Sequence, residues 1–117
     1  MPSGSRRSDC PVSCTLELLG DRWTLLVVRD LLLGKQRFGE LLESPEAIAS
    51  NILTERLRRL EELELVERTP SETHGTRGTY RLTSRGKSLG PVIKAIKIWG
   101  LANIPDTATA AADVLRK

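Results

Sequence analysis

The chain has 117 residues, 39% of them hydrophobic and 28% charged, which gives enough length for one core and excludes a disordered or fibrous protein. No run approaches the roughly 20 apolar residues that span a bilayer; the most apolar stretch, 25–33, is interrupted by Arg29 and Asp30. Eighteen Lys and Arg against fifteen Asp and Glu give a formal charge of +3 and a pI near 9.2, compatible with nucleic acid but no evidence for it alone.

Residues 1–9 are polar and rich in Ser, Gly and Arg, and read as a mobile arm without a hydrophobic signal core. The expected location is therefore cytoplasmic, with no membrane partner. One histidine and two cysteines are too few for a zinc site of the usual Cys/His type, so neither metal nor cofactor is expected. Cys10 and Cys14 are four apart, on one face of a predicted helix, and reduced thiols are the expectation. That helix starts at Pro11, capped by Asp9 or Cys10, and ends near Leu19 at Gly20, with Val12, Leu16 and Leu19 along its apolar face.

A second helix starts near Asp21 or Arg22 and is apolar around most of its circumference, with Trp23, Leu26, Val27 and Leu31, so it is the central core helix. Gly34 stops it. A short amphipathic helix follows from Phe38 to about Glu43, with Phe38, Leu41 and Leu42 inward. After a break at Ser44, Pro45 and Glu46, a further helix begins at Ala49 or Ser50. Two helices joined by so short a turn make a helix-turn-helix.

In the second of this pair Ile52, Leu53, Leu57, Leu60 and Leu63 form an inward stripe. Asn51, Thr54, Glu55 and Arg58 form the opposite one, with hydrogen-bonding side chains that suit a DNA major groove, where Asn reads adenine and Arg reads guanine or phosphate. An ordinary solvated face is the competing reading. The spacing also predicts i, i+4 pairs from Glu55 to Arg59 and from Arg58 to Glu62, and assigns Arg56 and Arg59 to solubility and pairing.

From Leu65 the pattern alternates, predicting a strand over 65–69 and a second near 79–82. Together they form a hairpin wing whose polar tip carries His74 and Arg77, the latter able to reach a narrow minor groove or a phosphate. A flexible loop decoration is the alternative. Thr83 caps a long helix with Leu89, Val92, Ile93, Ile96 and Trp99 apolar, and Pro91 in its first turns makes it start late or bend. This helix is more apolar than a small winged core requires, so part of it, like part of the first helix, should be buried against a partner subunit. Residues 107–115 are alanine-rich and suggest a short terminal helix.

The fold class is thus α+β, mostly α: a winged helix-turn-helix over 10–104, between the arm 1–9 and a tail 105–117. In chain order the segments CPV from Cys10, LGDRWTLLVVRDLLLG from Leu19, RFGEL from Arg37, LTERLRRLEELELVER from Leu53 and YRLTSRG from Tyr80 resemble the HxlR family of bacterial and archaeal transcriptional regulators. The resemblance covers about 10–100. It implies a homodimer on a palindromic operator, with the first and last long helices as the dimer interface, here Val12, Leu16, Val92, Ile96 and Trp99. It maps the DNA-reading helix onto 50–64 and the wing arginine onto Arg77. Two departures stand out: Gly78, where a strand-forming residue is usual and where glycine should loosen the wing, and Asn51, where a basic residue is common.

The expected DNA contacts are Arg37, Ser50, Asn51, Thr54, Arg58 and Arg77, on double-stranded operator DNA. Cys10 sits where some family members carry a redox-sensing cysteine. At a helix N-terminus beside Arg6 and Arg7 its thiolate is favoured, and a cap without chemistry is the competing reading. A small-molecule or oxidant effector is compatible with this arrangement. A winged-helix module that binds protein rather than DNA is the alternative function, and the polar stripe argues against it. An enzyme is disfavoured: His74 is the only histidine, on a loop, with no nucleophile and base at workable spacing.

Overall fold

A computed structural model describes residues 7–72 and 77–107. Its elements are α1 (Pro11–Leu19), α2 (Thr24–Leu32), α3 (Phe38–Leu42), α4 (Ser50–Glu62), β1 (Val66–Thr69), β2 (Thr79–Leu82), α5 (Ser84–Lys87) and α6 (Gly90–Asn103). Arg6, His74 and nearly all of the alanine-rich tail lie outside the described residues. Among those described, no helix is long and apolar enough to cross a membrane.

Pro11 opens α1, where its missing amide costs nothing, and the Gly20 amide closes the helix on the Leu16 carbonyl at 2.7 Å. α2 begins later than its apolar pattern suggests, at Thr24. Asp21 nevertheless caps this end as the sequence places it, its carboxylate accepting the amides of Trp23 at 3.0 Å and Thr24 at 3.1 Å. Val27, Val28 and Leu31 of α2 are buried against Leu41 of α3 and Leu53, Leu57 and Leu60 of α4. Leu19 of α1, Ile48, Leu65, Val66 of β1, Tyr80 and Leu82 of β2 and Ile93 complete this core, which therefore unites every element except α5 and most of α6.

Pro45 and Ala47 shape the turn between α3 and α4, and Ala47 takes a left-handed φ of 58°. An arginine from α2 holds that turn. Arg29 donates to buried Asp30 at 2.9 and 3.0 Å and, through both terminal nitrogens, to Glu46 at 2.8 and 2.9 Å. Ser44 adds a 2.5 Å hydroxyl bond to Glu46. Hydrogen bonds from Arg29 outweigh partial burial and, with Ser44, pull the Glu46 carboxyl down to about 2.

α4 ends in a Schellman closure: the Leu65 amide reaches the Leu60 carbonyl at 2.9 Å while Glu64 takes φ 60°, a place where glycine is usual. The chain then enters an antiparallel ladder pairing Val66 with Leu82 and Thr69 with Thr79. Residues 36 and 37 extend it, since Arg37 bridges Thr79 and the Tyr80 amide donates to the Gln36 carbonyl at 2.7 Å. The wing is thereby fastened to the start of α3.

The predicted long final helix is two helices. Thr83 does cap, accepting the Gly86 amide at 3.0 Å, but α5 lasts one turn. Gly86 lies so close to the chain entering β1 that a Cβ there would stand 2.0 Å from the Leu65 carbonyl oxygen. Pro91 then starts α6 in its own first turn. Only Ile93 of α6 is fully buried.

Candidate nucleic-acid interface

Arg37, Ser50, Asn51, Thr54, Arg58 and Arg77 are all exposed. α4 carries four of them. Burial of Leu53, Leu57 and Leu60 turns the helix so that Asn51, Thr54 and Arg58 face solvent. Among the described residues Asn51 has no side-chain partner, whereas Thr54 donates its hydroxyl to the Ser50 carbonyl at 2.8 Å. That back-bond fixes the Thr54 rotamer and leaves its oxygen lone pairs outward.

Arg58 is engaged on both sides, donating to Glu62 at 2.7 Å and to Glu55 at 3.1 Å. These carboxylates and the guanidinium are 42–61% exposed, so solvent screens the pairs and a phosphate can replace them at small cost. The predicted Glu55–Arg59 pair is absent among the described residues; Glu55 turns to Arg58 and Arg56 instead.

Arg56 and Arg59 are not confined to surface pairing. Arg56 Nε donates to Asp21 at 2.8 Å, and Arg59 donates to the Glu17 carbonyl at 2.9 Å. Both guanidinium groups lie on the inward flank of α4 and tie it to the α1–α2 junction. Partial burial opposes the charge on Asp21, but hydrogen bonds from the Thr24 hydroxyl, Arg56 and the amides of Trp23 and Thr24 outweigh it and hold the carboxyl well below the usual carboxylate range. Sequence reasoning missed these roles because the partners are 35 and 42 residues distant.

The wing base converges on the same surface. Arg77 lays its guanidinium over the Phe38 ring, 4.0 Å from the centroid, and its Nη1 donates to Thr54 Oγ1 at 3.3 Å. Gly78 has φ 81°, and a Cβ there would stand 2.0 Å from the Thr69 carbonyl oxygen. This glycine precedes β2, outside the ladder whose pairing it was expected to weaken, and permits a crossing that no side chain could pass. Arg37, through its bridge to Thr79, stands at the same wing base.

At the other end of the chain, Cys10 is exposed and its thiol is lowered by the backbone amides of Ser13 and Val12 at the start of α1. It lies at a surface depression of about 370 Å³ that it shares with Arg7, Val12 and Leu16. Cys14 is half-buried and donates to the Ser8 carbonyl.

A helix-turn-helix with a wing docked on its second helix matches a known pattern, and residues 18–108 match the model of the HxlR-like helix-turn-helix family. The chain belongs to the HxlR family. It is 40% identical over 94 residues to the HTH-type transcriptional regulator MT3179 of Mycobacterium tuberculosis, an alignment that takes in 80% of this chain and 59% of that one. The chain thus spans about three-fifths of that relative's length. Two solved structures superpose with a TM-score of 0.75. One is PA1607, described as a transcription factor, at 40% identity over 87% of this chain and 72% of its own. The other is the redox regulator HypR in its reduced form, at 31% identity over 82% of this chain and 95% of its own. This HxlR-family chain accordingly carries a helix-turn-helix domain, mostly helical with one two-stranded sheet among the described residues.

Proposed function

We propose that this HxlR-family protein acts as a homodimer that binds a palindromic DNA operator, with α4 in the major groove. The observation that carries the reading is the exposed polar face of α4, where Ser50, Asn51, Thr54 and Arg58 stand beside Arg37 and Arg77. Charged groups here grip phosphate, so affinity should fall steeply with salt. Asn51 is the uncommitted base reader, suited to adenine. The exposed apolar residues of α1 and α6 support dimerisation: Val12, Leu16, Val92, Ile96 and Trp99 are 40–66% exposed, and Ile98 extends the set. Half-sites on a two-fold operator would then be spaced by about one helical turn, roughly 34–36 Å, or a multiple of it.

Genomic fragments selected by the protein provide the operator for the test. Asn51→Ala, Thr54→Ala and Arg58→Ala combined should abolish specific binding while the fold, read by circular dichroism, persists. Unimpaired binding by the triple variant would reject α4 as the reader, and a footprint without two-fold symmetry would reject the dimer. Oxidant control through Cys10 rests on its lowered thiol, its exposure and the likeness to a redox regulator. Operator binding that responds to oxidant equally in wild type and Cys10→Ser would remove that input.

A further inference from the structure

Arg77 is held at three points. Its guanidinium stacks on Phe38 at 4.0 Å, its Nη1 meets Thr54 at 3.3 Å, and its own carbonyl accepts Arg68 Nη1 at 3.0 Å. Gly78 beside it runs so close to the Thr69 carbonyl that a Cβ there would stand 2.0 Å from its oxygen, which seats the start of β2 against the end of β1. Such an arginine differs from one at the free tip of a wing. Its side chain points back to the second turn of α4, toward the residue predicted to face the major groove.

A phosphate ridge separates the two grooves of DNA, and the major groove is about 12 Å wide. With α4 seated in it, a group hydrogen-bonded to Thr54 lies at the groove wall rather than across the ridge. Stacking on Phe38 covers one face of the guanidinium and uses none of its N–H groups, and Thr54 uses one. The remaining in-plane donors suit a backbone phosphate.

Resting on the DNA reading above, we propose that Phe38 is a platform that fixes Arg77 beside α4, so that Arg77 grips the phosphate flanking the base pairs read by Asn51 and Thr54 instead of entering the minor groove. Phe38 is a positioning residue, acting through Arg77. It belongs to α3, and the expectation from sequence gave it only an inward packing role.

The full-length protein and its selected operator allow a test by titration over a range of salt. Arg77→Ala should weaken binding about tenfold on matched and mismatched operators alike, and lower the log–log salt slope by about one per subunit. Phosphate ethylation should cease to interfere at one position per half-site. Replacing A·T by 2,6-diaminopurine·T pairs in the neighbouring minor groove, which adds an amino group there and keeps the major-groove edge, should leave the Arg77→Ala penalty unchanged. Phe38→Leu, with its folding checked by thermal melting, should reproduce the loss and slope change; Phe38→Tyr should restore both, and Phe38→Leu with Arg77→Ala should lose no more than Arg77→Ala alone. A penalty that follows minor-groove sequence, an Arg77→Ala variant with wild-type affinity, or a Phe38→Leu variant with the wild-type slope each overturns the proposal while the DNA reading stands. Wild-type protein that selects no fragment rejects the DNA reading itself, and the proposal with it.

Discussion

The two flanks of this molecule are finished to different degrees. Around the helix-turn-helix every strongly held charge has its partner within the chain: Arg29 with Asp30 and Glu46, Arg56 with Asp21, Arg59 with the Glu17 carbonyl. No buried side-chain polar atom of the described residues lacks a hydrogen bond. On α1 and α6, by contrast, the large apolar side chains stand in water, Trp99 at 63% and Val12 at 66% exposure. A monomer rarely leaves so many large apolar side chains of two helices uncovered. The difference teaches that the helix-turn-helix is self-sufficient in geometry, while the helices that bracket it carry the apolar surface that the proposed dimer would cover.

Charging the bare flank should give the largest effect. Trp99→Asp removes an exposed anchor that the proposed dimer would bury, at a cost of about 2 kcal/mol or more per subunit. Sedimentation should show self-association weakened roughly a hundredfold or more. The melting transition of the isolated chain should hardly move, because Trp99 contributes little to the core as it stands. A variant that associates like the wild type would show that this face does not complete the molecule, and would undo the comparison.

A cut on the finished flank should cost less but spread further. Asp21→Ala deletes the cap on α2 and the partner of Arg56 together. The cap alone is worth about 1 kcal/mol, and the half-buried guanidinium keeps only Glu55 as a charged partner. Thermal unfolding should fall by roughly 5–10 °C. Because Arg56 is one of two arginines tying α4 to the α1–α2 junction, operator affinity should fall even at temperatures where the variant is folded. Unchanged affinity would mean that the α4 orientation is set by Leu53, Leu57 and Leu60 alone.

Much of this contrast was legible in the sequence, for reasons that follow the range of each signal. Helix periodicity and punctuation are local, so α1, with Pro11 and Gly20, matched its expected bounds, and α4, with its leucine stripe, began where expected and ended two residues earlier than 64. The excess of apolar surface on the terminal helices was visible because it exceeds what a small core can use. Interactions that join distant segments were not. Arg56 and Arg59 carry the same side chain as Arg58, and only partners at residues 21 and 17 distinguish them. Arg77 on Phe38 was hidden in the same way. The left-handed positions Ala47 and Glu64 also escaped, since neither is the glycine that normally marks such a conformation.

The smallest effect separates the charge clamps from the apolar contacts by acid. Glu46 has its carboxyl pulled to about 2 in the folded chain, against about 4.3 in an unfolded one. Asp21 is likewise lowered, from the ordinary range near 3.9. A group whose folded value is depressed contributes stability that is fully present above its unfolded value and fades as pH falls toward the folded one. Stability at the α2 clamps should therefore be constant from neutral pH to about 5, then decline progressively between about 4.5 and 2. Glu46→Gln should remove part of that slope, because the amide has no charge to lose, while reducing stability modestly at neutral pH. Glu17 is the only acidic residue of α1 and α6, so most of the acid sensitivity should belong to the α2 clamps. Chemical denaturation of wild type and Glu46→Gln across pH 2–7 makes the comparison, and identical slopes would show that Arg29 is held by Asp30 without help from Glu46.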